Sequence, residues 1–224
     1  MRSLSKTGLQ EELQVSKPLA ELNYQRYQNW NKLKPKPAFW LYSGDVYNGL
    51  DAFSIDNNSA DFAQNHVAII SGLYGILRPF DSIKPYRLEM KLPVKGPWGE
   101  NLYAAWANKI SEYLASLKED TVLMCASKEY AKAVTSRLPD DVTVVTPRFM
   151  QETDNGLKEK GLFAKYARGA MARWVIDNRL ESLNGLQNYT QDGFLYSSEL
   201  SSESEYVYIV PKDFSLKGRF TKQK

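Results

Sequence analysis

The sequence predicts a mixed α/β fold (α+β in character), a central mixed sheet flanked by helices within a single domain. Three observations carry this prediction. Residues 121–150 run strand, helix, strand through TVLMCAS (121–127), KEYAKAVTSRL (128–138) and VTVVTPRFM (142–150), the order of a parallel crossover unit. Two long stretches, 98–117 and 162–181, repeat apolar residues at helical spacing. The composition, 43% hydrophobic and 25% charged over 224 residues, belongs to a chain that can bury a sizeable core.

Taken in order, residues 9–31 predict helix, turn, helix. Ser16 stands as an N-cap with Pro18 just inside the second helix, and Leu19, Leu22, Arg26, Tyr27 and Trp30 recur at helical spacing. KLKPKP (32–37) predicts a stiff basic connector, because alternating prolines oppose both helix and ladder. FWLYSGDVYNGL (39–50) predicts an aromatic strand broken at Gly44 and Gly49, followed by a short helix capped near Ser59. HVAIISGLYG (66–75) has the pattern of a buried strand entering a glycine-punctuated loop. From Arg78 onward Pro79, Pro85, Pro93 and Pro97 forbid a long helix. The 98–117 helix carries Leu102, Ala105, Trp106, Lys109, Ile110, Tyr113 and Leu117 on one stripe. Beyond the 162–181 helix, 193–197 and 205–211 predict a closing hairpin split by a Ser/Glu-rich turn. No repeat, low-complexity tract or linker interrupts the chain, so one domain, 1–224, is expected.

Composition also removes whole classes of function. Cys125 is the single cysteine, which excludes an intramolecular disulfide and fits a reducing compartment. No run approaches the roughly 18 apolar residues of a membrane span, and the start MRSLSKTGLQEELQ has no signal-peptide core. The expected location is the cytoplasm, with no membrane partner. His66 is the only histidine, so a His-rich metal site is excluded and a Ser-His-Asp or Cys-His mechanism is disfavoured. Asp56 and Asn58 start like a calcium loop, yet the glycine and the closing glutamate are missing. No metal or cofactor is expected.

What remains is basic. In KYARGAMARWVIDNRL (165–180), Phe163, Tyr166, Ala167, Ala170, Met171, Trp174 and Val175 share one broad face at about 100° per residue. Lys165, Arg168 and Arg179 gather on the opposite side, with Arg173 at its edge and Lys158 and Lys160 just ahead of the helix. Gly169 leaves a notch where another backbone or a phosphate can come close. The loop RPFDSIKPYRLEMKLPVKG (78–96) sets Arg78, Lys84, Arg87, Lys91 and Lys95 among Phe80 and Tyr86. Charges for phosphates and rings for bases suit a nucleic-acid strand. Local pairs such as Arg87–Glu89 or Arg78–Asp81 would equally well fix a long loop. The segment VSKPLAELNYQRY (15–27) has the outline of a helix-hairpin-helix turn, but Glu21 and Asn23 stand where glycines are usual. Asp45, Asp81 and Glu89 lie in glycine- or proline-bounded loops and are the weak catalytic candidates, as acid/base groups or metal ligands.

Several blocks together, GDVYNGL (44–50), SGLYGILRPFDSIKPYRLEM (71–90), NLYAAW (101–106), ASKEY (126–130) and ARGAMARW (167–174), resemble the YaaA family of bacterial peroxide-stress proteins. The resemblance implies a cytoplasmic protein that limits hydrogen-peroxide damage and binds DNA, on an unusual α/β fold with a helix-hairpin-helix-like element and a basic cleft. Matching blocks carry over Lys84, Arg87 and Glu89 in the loop and Lys165, Arg168 and Arg173 in the helix. Family members open with a strand and a Ser-Pro-Ala-Lys-Thr-like segment. This chain begins near the first helix pair, so about forty residues of that start are expected to be absent; a real loss would expose a sheet edge and remove part of the cleft.

The leading expectation is a non-enzymatic peroxide-stress protein that binds duplex or distorted duplex DNA through phosphates, with Lys84, Arg87, Lys165, Arg168, Arg173 and Arg179 as contacts. The alternative is an enzyme acting on a nucleotide or nucleic acid, with Asp45, Asp81 or Glu89 beside arginine phosphate clamps. A third reading gives the basic face to an acidic protein partner.

Overall fold

The fold is described here from a computed structural model covering residues 1–96, 99–117 and 120–216. Their contacts separate them into two compact units, each assembled from three stretches of chain. Met1–Leu41, Val67–Leu117 and Lys128–Leu138 form the first; Tyr42–His66, Lys118–Ser127 and Pro139–Lys224 form the second.

In the first unit, the predicted helix pair is Lys6–Leu13 and Lys17–Gln28. Ser5 caps the first helix, its Oγ accepting the Gly8 N–H at 3.0 Å, and Gln14 closes it in the left-handed region at φ 52°. Pro18 sits in the first turn of the second helix as predicted, whereas Ser16 makes no side-chain capping bond. The buried stripe differs from the expected one. Ala20, Asn23 and Tyr27 face inward, while Leu19 and Leu22 are 37% and 45% exposed. Tyr27 settles the rotation: its hydroxyl donates to the Arg87 carbonyl at 2.7 Å, so the ring must enter the core.

Residues 32–37 are more than a connector. Lys36 and Pro37 form a two-residue antiparallel strand with Ser82 and Ile83. The ladder accepts Pro37 because it is short and at an edge. The expected aromatic strand from Phe39 does not form. Ala38–Leu41 is one turn of helix, and Asp45–Leu50 in the second unit is another helix. The reason is local satisfaction of the backbone. The amides of Ala38 and Phe39 donate to the carbonyls of Asp81 and Pro79, both at 2.9 Å, and both side chains are buried.

The strand expected within 66–75 is Ile69–Ser71, paired antiparallel with Gly75–Leu77. Gly75, at φ 80°, lies against the Trp106 ring, where a Cβ would come within 2.5 Å. The Trp106 indole donates to the Gly72 carbonyl at 2.9 Å. The glycine punctuation therefore serves packing. Trp106 belongs to the helix Leu102–Ser116, capped by Asn101 through the Ala104 N–H. The predicted start of that helix at 98, and Pro97, lie outside the described residues. Lys128–Thr135 completes this unit.

The second unit is built on a mixed five-stranded sheet. Its spine is Thr143–Thr153. The start of that strand pairs in parallel with Thr121–Leu123, fulfilling the crossover prediction; its middle pairs in parallel with Glu205–Val210. Its end turns back against Gly156–Lys158, and Leu195–Ser197 adds the antiparallel closing hairpin. The helix Gly161–Asn178 packs on this sheet around Phe149, Phe163, Ala167, Met171, Phe194 and Tyr208. Helix Asn57–His66 is capped by Asp56, whose Oδ1 accepts the Ser59 N–H at 2.7 Å, so Asp56 rather than Ser59 opens it.

One contact positions the basic helix. Gly49 of the Asp45–Leu50 helix and Gly169 of the long helix let the two backbones touch. A Cβ on Gly169 would stand 1.8 Å from the Val46 carbonyl oxygen, and one on Gly49 would stand 2.0 Å from that of Tyr166. The notch at Gly169 is filled by another backbone.

Candidate nucleic-acid interface

The predicted site residues fall into both units. Lys84, Arg87, Asp81 and Glu89 are in the first; Lys165, Arg168, Arg173, Arg179 and Asp45 are in the second.

In the first unit the 78–96 loop is held by its own polar groups. Lys84 donates Nζ–H to the Trp30 carbonyl at 2.9 Å and lies 5.6 Å over the Trp30 ring, while its amide donates to the Tyr74 hydroxyl. Arg87 meets Glu89 at 2.5 Å, and Lys91 stands between Glu89 and Glu129 at 3.9 and 3.8 Å. Asp81 receives the Arg78 backbone N–H at 2.8 Å. The Tyr86 and Ser71 hydroxyls bond each other at 2.6 Å.

The helix-pair turn is also occupied. The Gln14 and Val15 amides are spent on the carbonyls of Gln10 and Glu11 that end the first helix. Glu21 accepts from Gln25 and pairs with Lys6 at 2.6 Å, which together hold its carboxyl below the usual range. The amides left at this turn are those that open the second helix, where Pro18 supplies none.

In the second unit the helical cations separate into two kinds. Arg173 is structural: its side chain is 20% exposed, pairs with Asp177 at 2.8 Å, and donates to the Asp51 carbonyl at 2.8 Å and to Ser54 Oγ at 2.6 Å. It ties the loop after the Asp45–Leu50 helix to the long helix. Arg168, 16% exposed, pairs with Glu159 at 3.3 Å. Lys165 is exposed and only 4.0 Å from Asp45, the outer limit of an ion pair. Arg179 is exposed and ends the helix at φ 49°.

The residue that sequence reasoning passed over is Glu159. It lies in the middle of the basic run, between Lys158 and Lys160, and both Arg148, at 3.8 Å, and Arg168 meet it. Arg148 is shared, standing nearer Glu205 at 3.4 Å, so Arg168 is the main partner of Glu159. Lys158 and Lys160 remain exposed, and neither meets a carboxylate among the described residues. An acid flanked by two lysines, nine residues ahead of an arginine, was the available signal.

The catalytic candidates each hold a partner: Asp45 with Lys165, Asp81 with the Arg78 amide, Glu89 with Arg87. Among the described residues no three His, Cys, Asp or Glu side chains gather as a metal site. A cavity of about 530 Å³ in the first unit is lined by Leu73, Leu88, Leu102 and Trp106, and among the described residues Glu12 is the one carboxylate on its wall. Cys125 lies just past the Thr121–Leu123 strand rather than within it. Burial pushes its thiol up to about 12, against the opposing pull of Arg168. His66 is structural, with Nδ1 at 2.9 Å from the Phe62 carbonyl and its ring stacked on Phe62. No helix among the described residues is long and apolar enough to cross a membrane.

Comparison with known proteins agrees with the sequence blocks. Residues 1–200 match the family described as peroxide stress protein YaaA. A UPF0246 protein of Legionella pneumophila is 40% identical over 206 residues, covering 88% of this chain and 80% of its own length. One from Alteromonas mediterranea is 40% identical over 216 residues, covering 93% and 83%, and one from Burkholderia mallei 39% over 218, covering 93% and 84%. The chain belongs to the YaaA peroxide-stress family.

Proposed function

We propose that this YaaA-family protein acts in the cytoplasm during peroxide stress by binding DNA, mainly through its phosphates and with little sequence preference. In the second unit Lys158, Lys160 and Lys165 make the contacts. The observation that carries this reading is the pairing of Glu159 with Arg168, beside an Arg148 shared between Glu159 and Glu205. With that acid paired, the lysines on either side of it present positive charge at the start of an 18-residue helix, the end where the peptide dipoles also favour an anion. Arg168 then acts through Glu159, and Arg173 through the loop it fastens. The enzymatic alternative draws little support from Asp81 or Glu89, which hold the Arg78 amide and Arg87.

The test is titration of a labelled duplex at several salt concentrations with the parent and with a Lys158→Gln, Lys160→Gln, Lys165→Gln variant. Each phosphate contact contributes about 0.9 to the slope of log affinity against log salt, so the triple variant should lose about 2 to 3. An unchanged slope in a folded variant removes these lysines from the interface.

A further inference from the structure

A second cationic surface lies in the first unit, on the 32–37 segment that looks like a connector in the sequence. Lys32, Lys34 and Lys36 are all exposed, and none meets a carboxylate among the described residues. Arg78 is likewise exposed. The segment is pinned at both ends. At its start the Trp30 carbonyl takes the Lys84 ammonium; at its end Lys36 is in register with Ile83, and the Ala38 and Phe39 amides bond the carbonyls of Asp81 and Pro79. These bonds fix the backbone of the segment against residues 79–83. Asp81, the acid inserted there, accepts the Arg78 amide.

We infer that this strap is a phosphodiester-binding element, an inference that rests on the DNA-binding reading above. Charge is one half of the argument: three exposed lysines within residues 32–37, none meeting a carboxylate among the described residues, suit a polyanion and repel a cationic partner. Stiffness is the other half. Pro35 and Pro37 fix their own φ and hold Lys34 and Lys36 in extended backbone, and Leu33 is extended at φ −67°, ψ 130°. A pre-set backbone loses less entropy on binding than a flexible basic tail. The competing account is that lysines here only guard a short exposed ladder edge against pairing with other chains. That role makes no demand on DNA.

The experiment compares the parent, a Lys32→Gln, Lys34→Gln, Lys36→Gln variant, and an equal-charge control, Lys17→Gln, Lys109→Gln, Lys128→Gln, each titrated with the same labelled duplex across salt. The strap variant should lose about 2 to 3 from the salt slope and bind at least about tenfold more weakly at low salt, while the control changes far less. If the parent binds and the two variants behave alike, the strap is not a contact, although the DNA-binding reading stands. If the parent binds no DNA at any salt, that reading itself fails and the inference with it. Lysine acetylation of the unaltered parent gives a second readout independent of variant folding. DNA should protect Lys32, Lys34 and Lys36, and equal labelling with and without DNA overturns the proposal.

Discussion

Replacing Arg173 with leucine tests whether the basic helix is a binding face or a structural seam. The leucine keeps much of the aliphatic stem and removes every polar contact. Lost are the pair with Asp177, the bond to the Asp51 carbonyl at 2.8 Å and that to Ser54 Oγ at 2.6 Å, with longer contacts to Leu50 and Ser54 carbonyls at 3.4 and 3.2 Å. One guanidinium nitrogen cannot serve three acceptors fully, so the two shorter bonds carry most of the effect. At about 1 kcal/mol each, plus the cost of carbonyls left in a partly buried position, the loss should come to about 2–3 kcal/mol. Asp177 is exposed enough to return to water and adds little. Urea unfolding followed by circular dichroism would measure the drop. The folded variant should bind DNA with an unchanged salt slope. A variant as stable as the parent whose slope falls by about 1 would refute the reasoning, because Arg173 would then be a phosphate contact.

Three further outcomes follow from the packing and the titrating groups. Gly169→Ala should be destabilising by about 2 kcal/mol or more despite alanine's better helix propensity, since the new Cβ meets the Val46 oxygen at 1.8 Å. Gly161→Ala, with open space around it, should be neutral or better; equal behaviour of the two in thermal melts would argue against the close crossing. Cys125 is half-buried, and desolvation keeps its proton on, so it should react more slowly with a thiol reagent at neutral pH than the same thiol in urea; equal rates would contradict this. Alkali should destabilise the fold. Tyr27 is raised from 10.0 to about 12 and Cys125 from 9.0 to about 12, while burial also raises Tyr130 and Tyr208. The unfolded chain releases these protons first. The stability they contribute is therefore complete below about pH 9 and is lost as pH climbs towards 12. A melting temperature flat across that range would count against the burial of these groups.

The sequence by itself determined the features that depend on neighbouring residues. The apolar runs around 121–150 and 195–210 wrote the parallel crossover and the closing hairpin, because side-chain alternation and burial are local to a strand. Blocks such as 71–90 sufficed for the family. The stretch from Ala38 to Leu50 was misleading, since aromatic residues favour strands only where a ladder partner exists, and here Asp81 and Pro79 take the backbone amides instead. Only the tertiary structure decided which cations are free. Arg173 and its acceptors at Asp51 and Ser54 are more than a hundred residues apart, and Lys84 reaches a carbonyl at Trp30. A count of charges along a helix face is blind to such partners. Ion pairing is settled through space: Arg173 and Arg168 hold protein acceptors, whereas Arg179 is exposed. The lysines of a plain connector were left facing water.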